Sequence, residues 1–362
     1  MRCDQYFQTP ENTASVLDAV RSLVVKTGPV KLMEICGTHT MAIARTGLKS
    51  LLPEEIKLIS GPGCPVCVTP AGVLDSVLEL TQNPQILLTS FGDLLRVPGT
   101  KRGDCLLRRR ALGARVESVY SPLEALTAAK QNPDREVVFL GVGFETTAPG
   151  IAACILEAER QKLRNFSVLC LLKRTEPALR CLIASPDFSV NGFICPGHVA
   201  AVIGSDAFSF LPGQFFLPAV VSGFEAADLL GSILKLVRML SEHKPALSNE
   251  YLRAVRPGGN PAALRIMDQV FAPCDSIWRG LGNVPGGGSR IRPEYAAWDA
   301  SVKFGFMPKT GDEIPGCKCA QVIRGVLSPK ECPLFGTLCT PQDPVGPCMV
   351  SSEGACAAAY RF

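Results

Sequence analysis

Sixteen cysteines in a chain of 362 residues are the main chemical resource of this sequence. In a reducing compartment such a number points to metal binding or redox exchange, not to structural disulfides. Six of them crowd the C-terminal stretch: Cys317, Cys319, Cys332, Cys339, Cys348 and Cys356. Between positions 317, 332, 339 and 356 lie 14, 6 and 16 residues. Thiolates are soft donors that iron–sulfur clusters and zinc both accept. A zinc ribbon usually carries paired C-x2-C knuckles, which this tail lacks. The tail is therefore expected to hold an iron–sulfur cluster, with zinc or disulfides as the alternatives. Four ligands suffice for a cubane cluster, which leaves a spare pair, and a pair of thiols is what two-electron dithiol chemistry requires.

Four further motifs follow predicted strands. Cys64-Pro65-Val66-Cys67 stands after a strand and shortly before a helix, the setting of a redox dithiol whose thiol pKa a helix N-terminus lowers. Glu34-Ile35-Cys36-Gly37-Thr38-His39 puts a cysteine at the carboxyl edge of a sheet, where α/β folds bind ligands. His39 is expected to tune that thiol or bind a metal beside it, and Thr38 to cap the helix start. Gly141-Val142-Gly143-Phe144-Glu145-Thr146-Thr147 opens like a dinucleotide loop but lacks the third glycine. Glu145 and Thr146 are read as lining a site, and so is His198 in Pro196-Gly197-His198.

Strands and helices alternate between about residues 30 and 240. The expected strands are Lys31–Ile35, Ile56–Ser60, Gln85–Ser90, Arg115–Tyr120, Glu136–Gly141, Phe166–Leu172, Asn191–Cys195 and Phe215–Val221. Helical patterns follow most of them. This order predicts an α/β protein with parallel sheets covered by helices on both faces. The expected division is a helix within 1–28 docked on the cluster domain, α/β units over 29–115 and 116–245, and a loop-rich cluster domain over 246–362. These four motifs fall just after predicted strands, so the α/β reading expects them to converge on one cleft. Cys154, Cys170, Cys181 and Cys195 fall in apolar runs and read as packing residues.

A formal net charge of +4 with no basic face interleaved with aromatics argues against nucleic acid as a partner. The basic cluster of Lys101, Arg102 and Arg108–Arg110 reads as a solvated loop and helix face. No apolar stretch reaches the roughly 18 residues of a membrane span, and the first residues lack a secretory h-region, so a cytoplasmic protein is expected.

Taken together, Cys36-Gly-Thr-His39, Gly61-Pro-Gly-Cys-Pro-Val-Cys67, Gly143-Phe-Glu-Thr-Thr147, Pro196-Gly-His198 and the tail from Cys332-Pro-Leu-Phe-Gly336 to Met349-Val-Ser-Ser-Glu-Gly-Ala-Cys356 resemble the hydrogenase maturation protein HypD family from about residue 30 onward. The resemblance implies two Rossmann-like α/β domains and a loop-rich cluster domain. It implies an assembly scaffold, with redox thiol and iron–sulfur chemistry, for the Fe(CN)2CO group of [NiFe]-hydrogenases, more than a conventional turnover enzyme. The implied partners are a small HypC-type chaperone and a HypE-type cyanide donor, with a HypF-type protein upstream. By the same resemblance Cys36 binds the iron that carries cyanide and CO, and Cys64 and Cys67 form a redox dithiol. Cys317, Cys332, Cys339 and Cys356 would ligate a [4Fe–4S] cluster, with Cys319 and Cys348 as the redox pair. One departure stands out: where many relatives have His-Lys, this chain has Leu172-Lys173. The alternative function is an iron–sulfur thiol–disulfide reductase acting on a protein.

Overall fold

The computed structural model describes residues 10–309 and 314–362. Among these residues nine strands form two parallel sheets. Sheet A contains β1 (Val30–Glu34), β2 (Ile56–Ser60), β7 (Gly192–Pro196), β8 (Ala219–Ser222) and β9 (Leu247–Asn249), in the order β2-β1-β7-β8-β9. Sheet B contains β3 (Ile86–Ser90), β4 (Val116–Ser118), β5 (Glu136–Gly143) and β6 (Phe166–Leu172), in the order β4-β3-β5-β6. The central strand β5 shows why the sheets are parallel and covered. Val137, Val138, Phe139 and Leu140 are consecutive and fully buried, which requires helices on both faces. The α/β expectation holds.

The sheets divide the chain differently from the expected linear cut near residue 115. β1 pairs with β7, with Leu32 opposite Gly192 and Met33 opposite Phe193, so the second half of sheet A comes from beyond residue 190. Sheet B is thus an insertion between β2 and β7. Strand pairing is non-local, and a sequence read in order cannot see that the chain leaves sheet A and returns to it.

The N-terminal helix, Pro10–Thr27, also docks elsewhere than expected. Val16, Leu17, Val20 and Val24 are buried in one apolar core with Leu229, Ile233 and Leu236 of the helix Ala226–Ser241. It therefore covers sheet A and not the cysteine tail. Residues 1–9 lie outside the described residues.

The segment after 245 is not one loop-rich unit. β9 belongs to sheet A, and an antiparallel hairpin, β10 (Phe271–Trp278) with β11 (Gly282–Ile291), follows. The hairpin absorbs Pro285-Gly286-Gly287-Gly288, with a register shift between Cys274 and Ser276, where the sequence suggested only chain breaks. Val270, Phe271, Ile291 and Trp298 pack in one core with the apolar side of sheet B. The cysteine tail, residues 314–362, sits on a third core that joins both sheets and includes Leu88, Val138, Leu140, Phe193 and Cys195. That shared core sets the rims of the two sheets beside the tail. No helix among the described residues is long and apolar enough to cross a membrane.

Candidate functional site

Cys36 lies where β1 ends and the helix Gly37–Arg45 begins, in extended conformation with φ −149° and ψ 121°. The backbone turns there because Glu34 ties strand to helix. Its buried carboxylate accepts the Cys36 backbone N–H at 3.2 Å and the Thr40 hydroxyl. Desolvation pushes Glu34 up to about 7, against the hydrogen bonds from Thr40 and Ser60. Desolvation also pushes the Cys36 thiol up to about 12, opposed by a backbone hydrogen bond from His39 and by the Thr38 hydroxyl. The free thiol thus keeps its proton at neutral pH. A bound metal cation is the kind of partner that would displace it.

Cys36 opens on a cavity of about 210 Å³, which Thr38, Thr146, Thr147, His198 and Glu353 also line. Residues from both sheets meet here: Cys36 and Thr38 follow β1, His198 follows β7, and Thr146 and Thr147 follow β5. Phe144 and Trp278 form an apolar wall, stacked at 5.8 Å. His198 is partly exposed and stacks on Phe224 at 3.9 Å, and burial lowers its pKa.

His39, expected to tune the thiol or bind a metal, and Glu145, expected to line the site, are placed otherwise. His39 is fully buried, and its Nε2 donates to the Gly223 carbonyl at 2.9 Å, which can only accept. Its ring lies 4.7 Å from Phe224, and burial holds it down at about 4. Only its backbone reaches Cys36, because side chains in the first helical turn point in different directions. Glu145 is buried outside the cavity. It accepts the Thr175 N–H and Oγ–H, both at 2.7 Å, and so anchors the start of the helix Thr175–Ile183.

Cys64 caps the short helix Pro65–Val68, with Pro65 at its first position. Cys64 and Cys67 are joined as a disulfide with Cα atoms 5.2 Å apart. The Ser351 Oγ lies 3.4 Å from Cys64 Sγ, so the tail lies directly on the disulfide. A narrow cleft beside this contact is lined by Cys64, Cys67, Cys348 and Glu353. Glu353 therefore borders both this cleft and the Cys36 cavity.

The six tail cysteines are linked by neighbour interactions. Cys319 takes hydrogen bonds from Cys317 and Cys348, which push it toward thiolate, and the Arg279 charge adds to this. Cys348 also bonds Cys356, and Cys339 feels the charges of Cys356 and Cys332. The proposed redox partners Cys319 and Cys348 are thus in direct contact. Among the described residues no three His, Cys, Asp or Glu converge on a point that would hold a single metal ion. A cubane cluster makes a different demand, since each of its irons takes its own thiolate. Six neighbouring soft sulfurs are a donor set of that kind. Cys154 and Cys195 are buried packing residues, while Cys170 and Cys181 are half-buried.

Four residues of the site escaped the sequence reading. Glu34 was detectable as a carboxylate at the end of an apolar strand. Glu353 sat inside a quoted motif without a role. Arg279 and Trp278, on the hairpin, carried no signal, because only the docking of the hairpin brings them here.

A family model described as the hydrogenase formation hypA family, HypD, matches residues 11–362. The Hydrogenase maturation factor HypD of Azotobacter vinelandii is 47% identical over 338 residues, 92% of this chain and 89% of its own. HypD2 of Bradyrhizobium diazoefficiens is 42% identical over 369 residues, 100% of this chain and 97% of its own. HypD of Escherichia coli is 41% identical over 368 residues, 100% of this chain and 98% of its own. Matched by the family model over nearly its whole length and by relatives at 41–47% identity, the chain belongs to the HypD family of hydrogenase maturation factors.

Proposed function

We propose that this protein is the cytoplasmic scaffold on which the Fe(CN)2CO group of a [NiFe]-hydrogenase is assembled, with Cys36 as its thiolate ligand to the cargo iron. The observation that carries this reading is the Cys36 cavity itself. It joins one protonated thiol, threonine hydroxyls and His198 in a space about the size of a small metal complex, and its Glu353 wall leads to the disulfide and the tail. The partners that fit are a small HypC-type chaperone sharing the iron and a HypE-type cyanide donor, with a HypF-type protein upstream.

The tail would hold the [4Fe–4S] cluster through Cys317, Cys332, Cys339 and Cys356, and when bound it would supply single electrons. The chain's own residues handle the rest. Of the Cys319–Cys348 pair, Cys348 lines the same cleft as the disulfide. A thiolate of that pair attacks the Cys64–Cys67 bond, and the second thiol then releases it. Two electrons pass to Cys64 and Cys67, which end as thiols, while Cys319 and Cys348 end as a disulfide. Glu353, held against the cleft with its pKa raised by burial, is placed to carry protons between cleft and cavity.

A second reading, a thiol–disulfide reductase acting on another protein, draws on the same disulfide. Infrared spectra of anaerobically purified protein, with and without the chaperone, decide between them. Bands of iron-bound cyanide and CO that vanish in Cys36→Ala support the scaffold, whereas their absence from the wild type leaves the reductase.

A further inference from the structure

Arg279 sits in the turn of the β10–β11 hairpin, only 3% exposed. Its backbone N–H donates to Val68 O at 2.7 Å, and its Nη2 donates to Thr69 O at 3.0 Å. Both carbonyls close the short helix that carries Cys67. The next residue, Gly280, has φ +82°, and a Cβ there would lie 2.8 Å from Ala320 O, so the turn also rests on the helix Cys319–Ile323. Arg279 is thereby wedged between the disulfide helix and the tail helix that begins at Cys319, two residues after Cys317.

We propose that Arg279 is a positioning residue that raises the reduction potential of the tail's [4Fe–4S] cluster by holding a permanent positive charge beside it. The proposal rests on the reading that the tail carries such a cluster. Guanidinium stays charged at all working pH values, and burial lets its field act with little screening. Reduction adds one negative charge to a thiolate-ligated cluster, so a fixed cation nearby favours the reduced form. The backbone carbonyls fix the guanidinium in place, and they are the same carbonyls that end the disulfide helix. One residue thus links the electron donor's potential to the position of its acceptor.

The test compares wild type, Arg279→Lys and Arg279→Met as full chains purified anaerobically. Iron and sulfide content is measured first, followed by redox titration monitored by electron paramagnetic resonance. The expected result is equal iron and sulfide in all three, a midpoint shifted to more negative potential in Arg279→Met, and a midpoint near wild type in Arg279→Lys. An unchanged midpoint in Arg279→Met, with the cluster present, overturns the role of Arg279 alone. Wild type without iron and sulfide overturns the cluster reading, and the proposal with it. If Arg279→Met cannot hold the cluster, Arg279→Lys decides: a held cluster at the wild-type midpoint supports the charge, and a lost or shifted one shows that Arg279 acts only by packing.

Discussion

The Thr38 hydroxyl donates to the Glu353 carboxylate at 2.7 Å, across 315 residues of sequence. The bond joins the Cys36 loop to the tail and places one carboxylate between the thiol cavity and the disulfide cleft. Desolvation raises the Glu353 pKa against this hydrogen bond.

The approach at this junction leaves no room for a side chain at residue 37. A Cβ on Gly37 would lie 2.3 Å from Glu353 Cβ and 2.6 Å from its carbonyl oxygen. Gly37→Ala should destabilise the protein by about 1–3 kcal/mol, read from the midpoint of urea denaturation. Wild-type stability would show that the tail does not pack here.

Glu145 is an anchor for the helix Thr175–Ile183 more than a wall of the cavity. Glu145→Ala should cost about 1–3 kcal/mol, because it leaves a buried donor unpaired, and Glu145→Gln should recover part of that loss. Full stability in Glu145→Ala, measured by calorimetry, would contradict the assignment.

His39 gives a pH dependence of known sign. Its ring titrates at 6.5 when free and about 4 when folded, so between those values the unfolded state binds the extra proton. The stability it contributes is complete above pH 6.5 and is lost as the pH falls toward 4, by about 3 kcal/mol. Denaturation midpoints of wild type and His39→Gln over this range should differ in slope, and parallel profiles would refute the buried neutral ring.

Thiol labelling tests the disulfide. Alkylation of anaerobically unfolded protein without reductant should leave Cys64 and Cys67 unmodified while the free cysteines react. Peptide masses after reduction should then show these two labelled. Labelling of either one before reduction would mean that the pair is not joined.

The proposed Cys319–Cys348 redox pair and tail cluster predict a separation of two properties. Cys319→Ala should keep the visible absorption of the tail cluster and lose the infrared bands of the loaded Fe(CN)2CO group. Retained loading would sink the proposed electron route.

The sequence by itself determined the kinds of chemistry and the local elements. Ile56–Ser60 and Phe166–Leu172 are strands at the expected residues, because short apolar runs between turn residues can form little else. Cysteine identity and spacing likewise made the tail and the C-x-x-C motif legible as sulfur chemistry. Only the tertiary structure decided which motifs meet. Sheet A takes strands from both sides of the sheet B insertion, and that pairing brings His198 to Cys36. It turns the His39 ring away from the thiol and commits Glu145 to Thr175. It also seats Glu353 and Arg279 against the cysteines. These contacts depend on side-chain direction and on packing between segments far apart in the chain, and neither leaves a periodic trace in the sequence. The six-cysteine tail was visible from its spacing, and the fold supplied the two cavities and the buried cation beside it.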